Sequence, residues 1–406
     1  MIVRATTRAK KIVTLNVQPG SLTAAFGEQT VLVYDRAGRL WSAFFFGCTF
    51  RRGLDGGVLG KWTEHGQRER RRLDRSEAAL IVDRSAALMS DLADGAVFDA
   101  PPRAVQEIET LLHRAMRFTA LVARADAEHF LRVYWPLGIL PPDQYLALVL
   151  QMTEGCSFNT CTFCTFYRDR PFRIKSPDEF RAHILAVRDY LGDSLALRRG
   201  IFLADANALV VPQKKLVPLL QVLREKLAEL KGLRGFKPNA PVPLFAFLDG
   251  FSGSKKSADD YAELAAHGLA RIYIGLESGH DPLLSWLHKP GRAADAVRAA
   301  RAIKAGGVKV CVIVLLGAGG TRFAEGHVRD TIQAINSMAL GAGDLIYFSD
   351  FVSLPGQPYG QVAERDDVEP LTVDQMHAQR RAIESGLKFS GAPPKLSAYD
   401  IREFVY

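Results

Sequence analysis

Six successive strand–helix units between residues 141 and 390 predict an α/β fold, and three observations carry that prediction. Short apolar runs such as "YLALVLQM", "GIFLADA" and "ARIYIGLESG" alternate with stretches of helical periodicity such as "SPDEFRAHILAVRDYLG" and "RAADAVRAARAIKAGG". Strands buried on both faces and separated by helices indicate a parallel sheet, flat or curved into a barrel. Polar or glycine-rich punctuation follows every strand in turn: a cysteine cluster, then "ADAN", "DGFSG", "ESGH", "GAGG" and "DFVSLPG". All of it therefore gathers at the strand C-termini, the face that carries chemistry in such folds. Finally, 406 residues with 48% hydrophobic and 24% charged content can bury a large core and leave room for a second domain.

Residues 1–140 read as an N-terminal α+β domain without a motif that carries chemistry. "KIVTLNV" and "TVLVYDRAGRLWSAFFF" have strand patterns, with "DRAG" (Asp35–Gly38) as a hairpin turn. "SEAALIVDRSAALMSDLADG" is a helix ending at Gly95, and "PPRAVQEIETLLHRAMRFTALVARADA" reads as one helix opening at Pro101–Pro102. "GILPPDQY" marks the boundary. The core, 141–390, then runs through its six units. In its second helix, "QKKLVPLLQVLREKLAELKG", Pro218 suggests that regular structure begins only there. Residues 391–406 read as a tail packing on the core.

The net charge is +8, in part from "RERRRLDR" (Arg68–Arg75). The run contains no aromatic residue, so it reads as a solvated face, not a platform for stacking nucleic-acid bases. Five cysteines at irregular spacings do not form a disulfide framework. The N-terminus lacks a secretory pattern, and "VCVIVLLGAGG" is too short to span a bilayer. A soluble, reducing, cytoplasmic setting without membrane association is the expectation.

Three of the five cysteines stand in "EGCSFNTCTFCTFY" as Cys156, Cys161 and Cys164, spaced C-x4-C-x2-C. Three thiolates in one loop can serve a zinc site closed by a distant histidine, with His129 and His183 nearest in sequence. They can also pack as inert thiols, or hold an iron–sulfur cluster with one iron left open to a small molecule. Cys311 and Cys48 sit in apolar strands and read as core residues, which leaves too few thiols for a second fully cysteine-ligated cluster.

In this setting the chain resembles the radical S-adenosylmethionine (radical SAM) superfamily over roughly residues 145–365. The family's usual signature is C-x3-C-x2-C with an aromatic residue before the last cysteine. Phe163 stands in that place, but one extra residue separates Cys156 from Cys161. The resemblance implies a partial, TIM-like (β/α)6 barrel with a methylthiotransferase-like core. It also implies a [4Fe-4S] cluster on Cys156, Cys161 and Cys164, with S-adenosyl-L-methionine as the second cofactor. Phe163 would lie on the adenine side. Asp205 in "LADAN" would hold the methionine amino group. Glu277 and Ser278 in "GLESG" would reach the ribose or the methionyl group. Gly317, Gly319 and Gly320 in "GAGG" would lie along the adenine. Arg173, in the basic run "YRDRPFRIK", would bind the cofactor's carboxylate. His280 and Lys289 follow the fourth strand and could face the pocket, with a surface or capping role the preferred reading of each. "FVSLPGQPYG" resembles the stretch after the family's sixth strand. An electron donor such as flavodoxin or ferredoxin is implied as partner. The substrate is unknown, whether small molecule or macromolecule. An RNA-modifying, methylthiotransferase-like activity and a non-catalytic zinc-stabilised protein are the alternatives. No D-x-H-x-x-G occurs in the N-terminal domain, so cobalamin dependence is not expected.

Overall fold

The computed structural model of the chain describes residues 1–230, 232, 233, 242–354 and 356–406. The C-terminal end expected for the second core helix, at Lys231, and Pro355 of the "SLPG" stretch lie outside the described residues. The core is a sheet of seven strands in sequential order: β1 (Leu148–Gln151), β2 (Ile201–Ala204), β3 (Leu244–Asp249), β4 (Leu269–Glu277), β5 (Lys309–Leu316), β6 (Leu345–Asp350) and β7 (Lys395–Ala398). Every neighbouring pair is parallel. This is the partial barrel expected, with a seventh strand added from the tail. β7 ("KLSA") has no fully buried residue, so nothing in its composition marks it as a strand. It is defined only by its pairing with β6, from Leu345↔Lys395 to Phe348↔Ala398.

Helices α1 (Pro177–Leu191), α2 (Gln213–Lys226), α3 (Ala258–Ala266), α4 (Ala293–Ala305), α5 (Gly320–Asn336) and α6 (Val373–Gly386) connect the strands. Local chemistry starts several of them. Ser176 and Glu179 form a capping box at α1 with Pro177 as first helical residue, and Thr372 with Gln375 does the same at α6. α2 runs straight through Pro218, contrary to expectation. The proline removes one backbone hydrogen bond, but Leu216, Leu219, Leu220, Val222 and Leu223 of the same helix are buried and hold it against the sheet.

The free edge of β1 is covered by side chains instead of a strand. The Val149 amide donates to the Tyr406 hydroxyl (3.0 Å), and the Gln151 amide donates to His183 Nε2 (3.0 Å). The Tyr134 hydroxyl donates to the Val149 carbonyl (2.9 Å). His183 is thereby an edge acceptor. Burial, with Lys175 nearby, lowers its pKa to about 3 and keeps the imidazole neutral. At the N-terminal end of the barrel, Asp143 accepts from the hydroxyls of Tyr273 (2.6 Å) and Tyr347 (2.9 Å) and from Arg271 (3.2 Å). That polar knot forms a floor.

The N-terminal domain holds an antiparallel sheet of nine strands, a meander of eight with Val97–Phe98 added beside Ile2–Thr6. The basic run is itself a strand, Gln67–Arg72, joined to Val58–Glu64 through His65 and Gly66, both at positive φ (48° and 78°). Two left-handed residues are the signature of a tight hairpin turn, which the charge pattern obscured. The predicted single helix after Pro101 is two, Pro102–Met116 and Ala120–Val133. The chain turns extended at Thr119, where Phe118 drops into the core beneath the Arg52 guanidinium.

Candidate active site

The cysteine loop leaves the C-terminal end of β1 and is anchored at both flanks. Thr162 N and Oγ1 donate to the Leu287 carbonyl (3.0 and 3.3 Å), and Thr160 Oγ1 to that of His288 (3.1 Å). Gln357 Nε2 donates to the Phe163 carbonyl (2.7 Å), and the Tyr359 amide to that of Thr162 (3.1 Å). The extra residue in the motif is accommodated at Asn159. Its backbone is left-handed (φ 56°), a region that asparagine tolerates better than most side chains, and its Nδ2 donates to the Tyr167 carbonyl (2.9 Å). One side chain thus closes the loop across both later cysteines.

Cys156, Cys161 and Cys164 line one cavity at the C-terminal mouth of the barrel, and none is in a disulfide. Its walls are mostly apolar: Phe158, Phe163, Phe166, Phe247, Ile313, Leu315 and Phe351. Tyr273, whose hydroxyl is held in the Asp143 knot, also lines it. Burial pushes the Cys164 thiol up to about 12 and raises that of Cys161, so without a bound cation both stay protonated. Among the described residues no three His, Cys, Asp or Glu side chains converge on a single metal ion. Three thiols with no histidine among the described lining residues are the donor set of a cluster that leaves one metal open.

Of the residues the resemblance assigns to the second cofactor, Phe163 and Glu277 line the cavity and the rest do not. Asp205 is buried away from it, accepting from Gln151 Nε2 (3.0 Å), the Gly155 amide (3.0 Å) and Arg170 Nε (3.2 Å). Burial raises its pKa while Arg170 pulls the other way, and the carboxylate ties the start of the cysteine loop to the sheet. Ser278 is fully buried and paired with His327 Nδ1 (2.7 Å). Gly317, Gly319 and Gly320 all have positive φ, and their missing side chains make room for other protein groups. A Cβ on Gly317 would lie 2.6 Å from Met376 Sδ, and one on Gly320 would collide with the Glu369 carbonyl. Arg173 is half exposed and spent on Glu154 (2.9 Å) and Glu179. Burial notwithstanding, the hydrogen bonds from Arg173 and Lys175 hold Glu154 below the usual carboxylate range.

Lys289 corrects the sequence reading in the other direction. It lines the cavity and is the cationic side chain there, paired with Glu277 at 3.3 Å, each side chain 13% exposed. Burial disfavours its charge, but Glu277, then Cys161 and Asp249, raise its pKa overall, so it stays an ammonium. Glu277 reaches it from a left-handed backbone (φ 60°) at a register shift between β4 and β5. Asn207, Asp249 and Ser349 were likewise not singled out. Asn207 and Asp249 hydrogen-bond to each other on the rim. Ser349, 1% exposed on β6, lines the cavity with its Oγ unpartnered among the described residues. A lysine after "WLH" and a serine inside an apolar strand carry no local signal; only the curvature of the sheet brings them together.

A parallel partial barrel with three thiols at its C-terminal mouth is an arrangement that can hold a metal cluster. Residues 150–333 match the family model described as the Radical SAM superfamily, and over this stretch the chain is similar to that family. Domains of this family work with a [4Fe-4S] cluster and S-adenosylmethionine.

Several solved structures overlay loosely. The cobalamin-dependent S-adenosylmethionine radical enzyme OxsB aligns at 15% identity and a TM-score of 0.38, over 59% of this chain and 31% of its own. The radical S-adenosylmethionine methyltransferase TsrM from Kitasatospora setae aligns at 18% identity and 0.38, over 54% and 37%. Coproporphyrinogen III oxidase (HemN) from Escherichia coli aligns at 13% identity and 0.41, over 64% and 54%. This chain thus spans less than two thirds of each. No curated protein sequence matches it. No helix among the described residues is long and apolar enough to cross a membrane.

Proposed function

We propose that this protein is an enzyme that uses a [4Fe-4S] cluster and S-adenosylmethionine to make a 5′-deoxyadenosyl radical and direct it at a substrate in the barrel cavity. The observation that carries this reading is the set of three unbridged, half-buried thiols lining one mostly apolar cavity, inside the matched stretch. Cys156, Cys161 and Cys164 would hold the cluster. Lys289 is the group that would meet the cofactor's carboxylate: an ammonium already in place, beside Cys161, in a setting that strengthens ion pairing. Glu277 keeps that ammonium charged and leaves part of its hydrogen-bonding capacity free. Phe158, Phe163, Phe166 and Phe351 exclude water, which protects a reactive species from quenching. The Ser349 hydroxyl is available to bind cofactor or substrate. A flavodoxin or ferredoxin would deliver the electron.

No specific feature favours the RNA-modifying alternative, because the basic strand is largely engaged within the protein. Arg71 pairs with Glu77 (2.6 Å), Arg70 with Asp400 and Glu403, and Arg72 with the Phe404 carbonyl (2.8 Å).

The test is anaerobic reconstitution with iron and sulfide, followed by S-adenosylmethionine and dithionite. Bound iron and release of 5′-deoxyadenosine are expected, both lost in Cys161→Ala. Protein that takes up no iron, or binds zinc in its place, would overturn the proposal.

A further inference from the structure

A second recess lies where the N-terminal meander, the barrel and the tail meet, and it shares no lining residue with the cysteine cavity. Four arginines face it: Arg39, Arg51, Arg52 and Arg198. Two are matched. Arg39 binds Asp126 (2.7 Å) and lies 3.8 Å from Asp35, and Arg52 binds Asp126 (3.2 Å). Asp35, the carboxylate on the wall, is already used by the Ser194 hydroxyl (2.6 Å) and the amides of Ala37 and Arg39 (2.9 Å each).

Arg51 and Arg198 are unmatched. Among the described residues neither has a carboxylate in ion-pair range or donates a side-chain hydrogen bond, and the Nε of each is buried without a partner. Arg198 is 5% exposed. Glu403, outside the lining, is taken by Lys61 (2.9 Å) and Arg70 (3.2 Å). Aromatic faces give partial compensation: Arg51 lies over Trp41 and Tyr145 (5.2 and 5.1 Å), and Arg198 over Tyr406 (4.4 Å). Such contacts compensate a charge only in part and leave the guanidinium edges, with their donors, unfilled. Two like charges brought together out of water without a counter-charge are costly unless an anion joins them.

We propose that this recess is an anion site in which Arg51 and Arg198 together clamp a small oxyanion. The cavity is about 20 Å³, against roughly 10–15 Å³ for one water on the same scale. It therefore has room for the leading one or two oxygens of a carboxylate or phosphate head, and not for a nucleotide. Paired, planar guanidinium forks are the donors suited to such a head. Its occupant would join three segments, including the tail whose Tyr399 and Ile401 line the cysteine cavity. The proposal does not depend on the cluster.

The experiment is titration calorimetry of the full chain in chloride buffer at fixed ionic strength, with sodium phosphate in one arm and sodium acetate in the other. Saturable one-to-one binding is expected in at least one arm, and the arm that binds identifies the head group. Arg51→Met and Arg198→Met abolish it, Arg198→Lys weakens it, and Lys289→Met leaves it intact, which separates this site from the cysteine cavity. Without anion, the Met variants should melt no lower than wild type, because a repulsion has been removed. A rise in the wild-type melting temperature with the binding anion is independent of any variant. No saturable heat and no melting shift with either anion, or equal binding by the Met variants, would overturn the proposal.

Discussion

The Lys289–Glu277 pair yields the most demanding prediction. At 3.3 Å, with both side chains 13% exposed, the attraction is worth at most about 5 kcal/mol at an effective dielectric near 20. Desolvation takes back part of it, but removing one partner strands the other charge, which typically costs about 3–5 kcal/mol. Lys289→Met and Glu277→Gln should each lower stability by about 3 kcal/mol, and the double variant by clearly less than the sum, with a coupling of about 2 kcal/mol. The lysine's pKa is raised in the fold. Its contribution is therefore fully present below the unfolded value near 10.4 and is lost only as pH rises through the folded value. The destabilisation should accordingly be flat from about pH 6 to pH 9. Urea unfolding of the reduced apoprotein measures it, and calorimetry of the reconstituted protein should show S-adenosylmethionine binding lost in Lys289→Met. Additive single-variant costs, or unchanged cofactor affinity in Lys289→Met, would refute the reasoning.

Three further outcomes follow from the geometry. His183, with a folded pKa of about 3 against about 6.5 unfolded, makes stability fall by about 1.4 kcal/mol per unit as pH drops below about 6.5, and His183→Gln should flatten that slope in acid unfolding curves. Arg173→Ala should leave cofactor affinity unchanged and cost no more than about 1 kcal/mol, because Arg173 and Glu179 are half exposed and buried Glu154 keeps Lys175 as a partner; tighter coupling to the cofactor would show as a weakened dissociation constant. Asn159→Gly should keep the cluster loop closed enough to bind iron, whereas Asn159→Val, strained at positive φ and lacking the bond to Tyr167, should lose iron faster to a chelator.

Much of the barrel was legible because its strands are short, buried runs set between helices with cap chemistry, as at Ser176–Glu179. The cysteines were legible because three ligands in one loop are local information. The rest of the site was not, because it depends on which side chains point inward after the sheet curves. Asp205 and Glu277 are both acidic residues at strand ends, yet one is consumed by Arg170 and the other faces the cavity. Gly317 and Gly320 suggested close approach, which is what they allow, but the approaching group is Met376 or the Glu369 carbonyl. The meander was under-read because a strand such as "QRERRR" exposes almost every side chain and is held by its hairpin partner alone.

The manner in which β1 is finished has a consequence for the protein's solubility. Two phenols and an imidazole, drawn from the helix preceding the core, from α1 and from the last residue described, occupy the hydrogen-bonding positions that another chain's strand would seek. Protection against self-association at this strand is therefore vested in three separate side chains. Loss of Tyr406 alone would free the Val149 amide and open a short apolar template to neighbouring molecules, so tail lesions should appear first as aggregates and only later as lost activity.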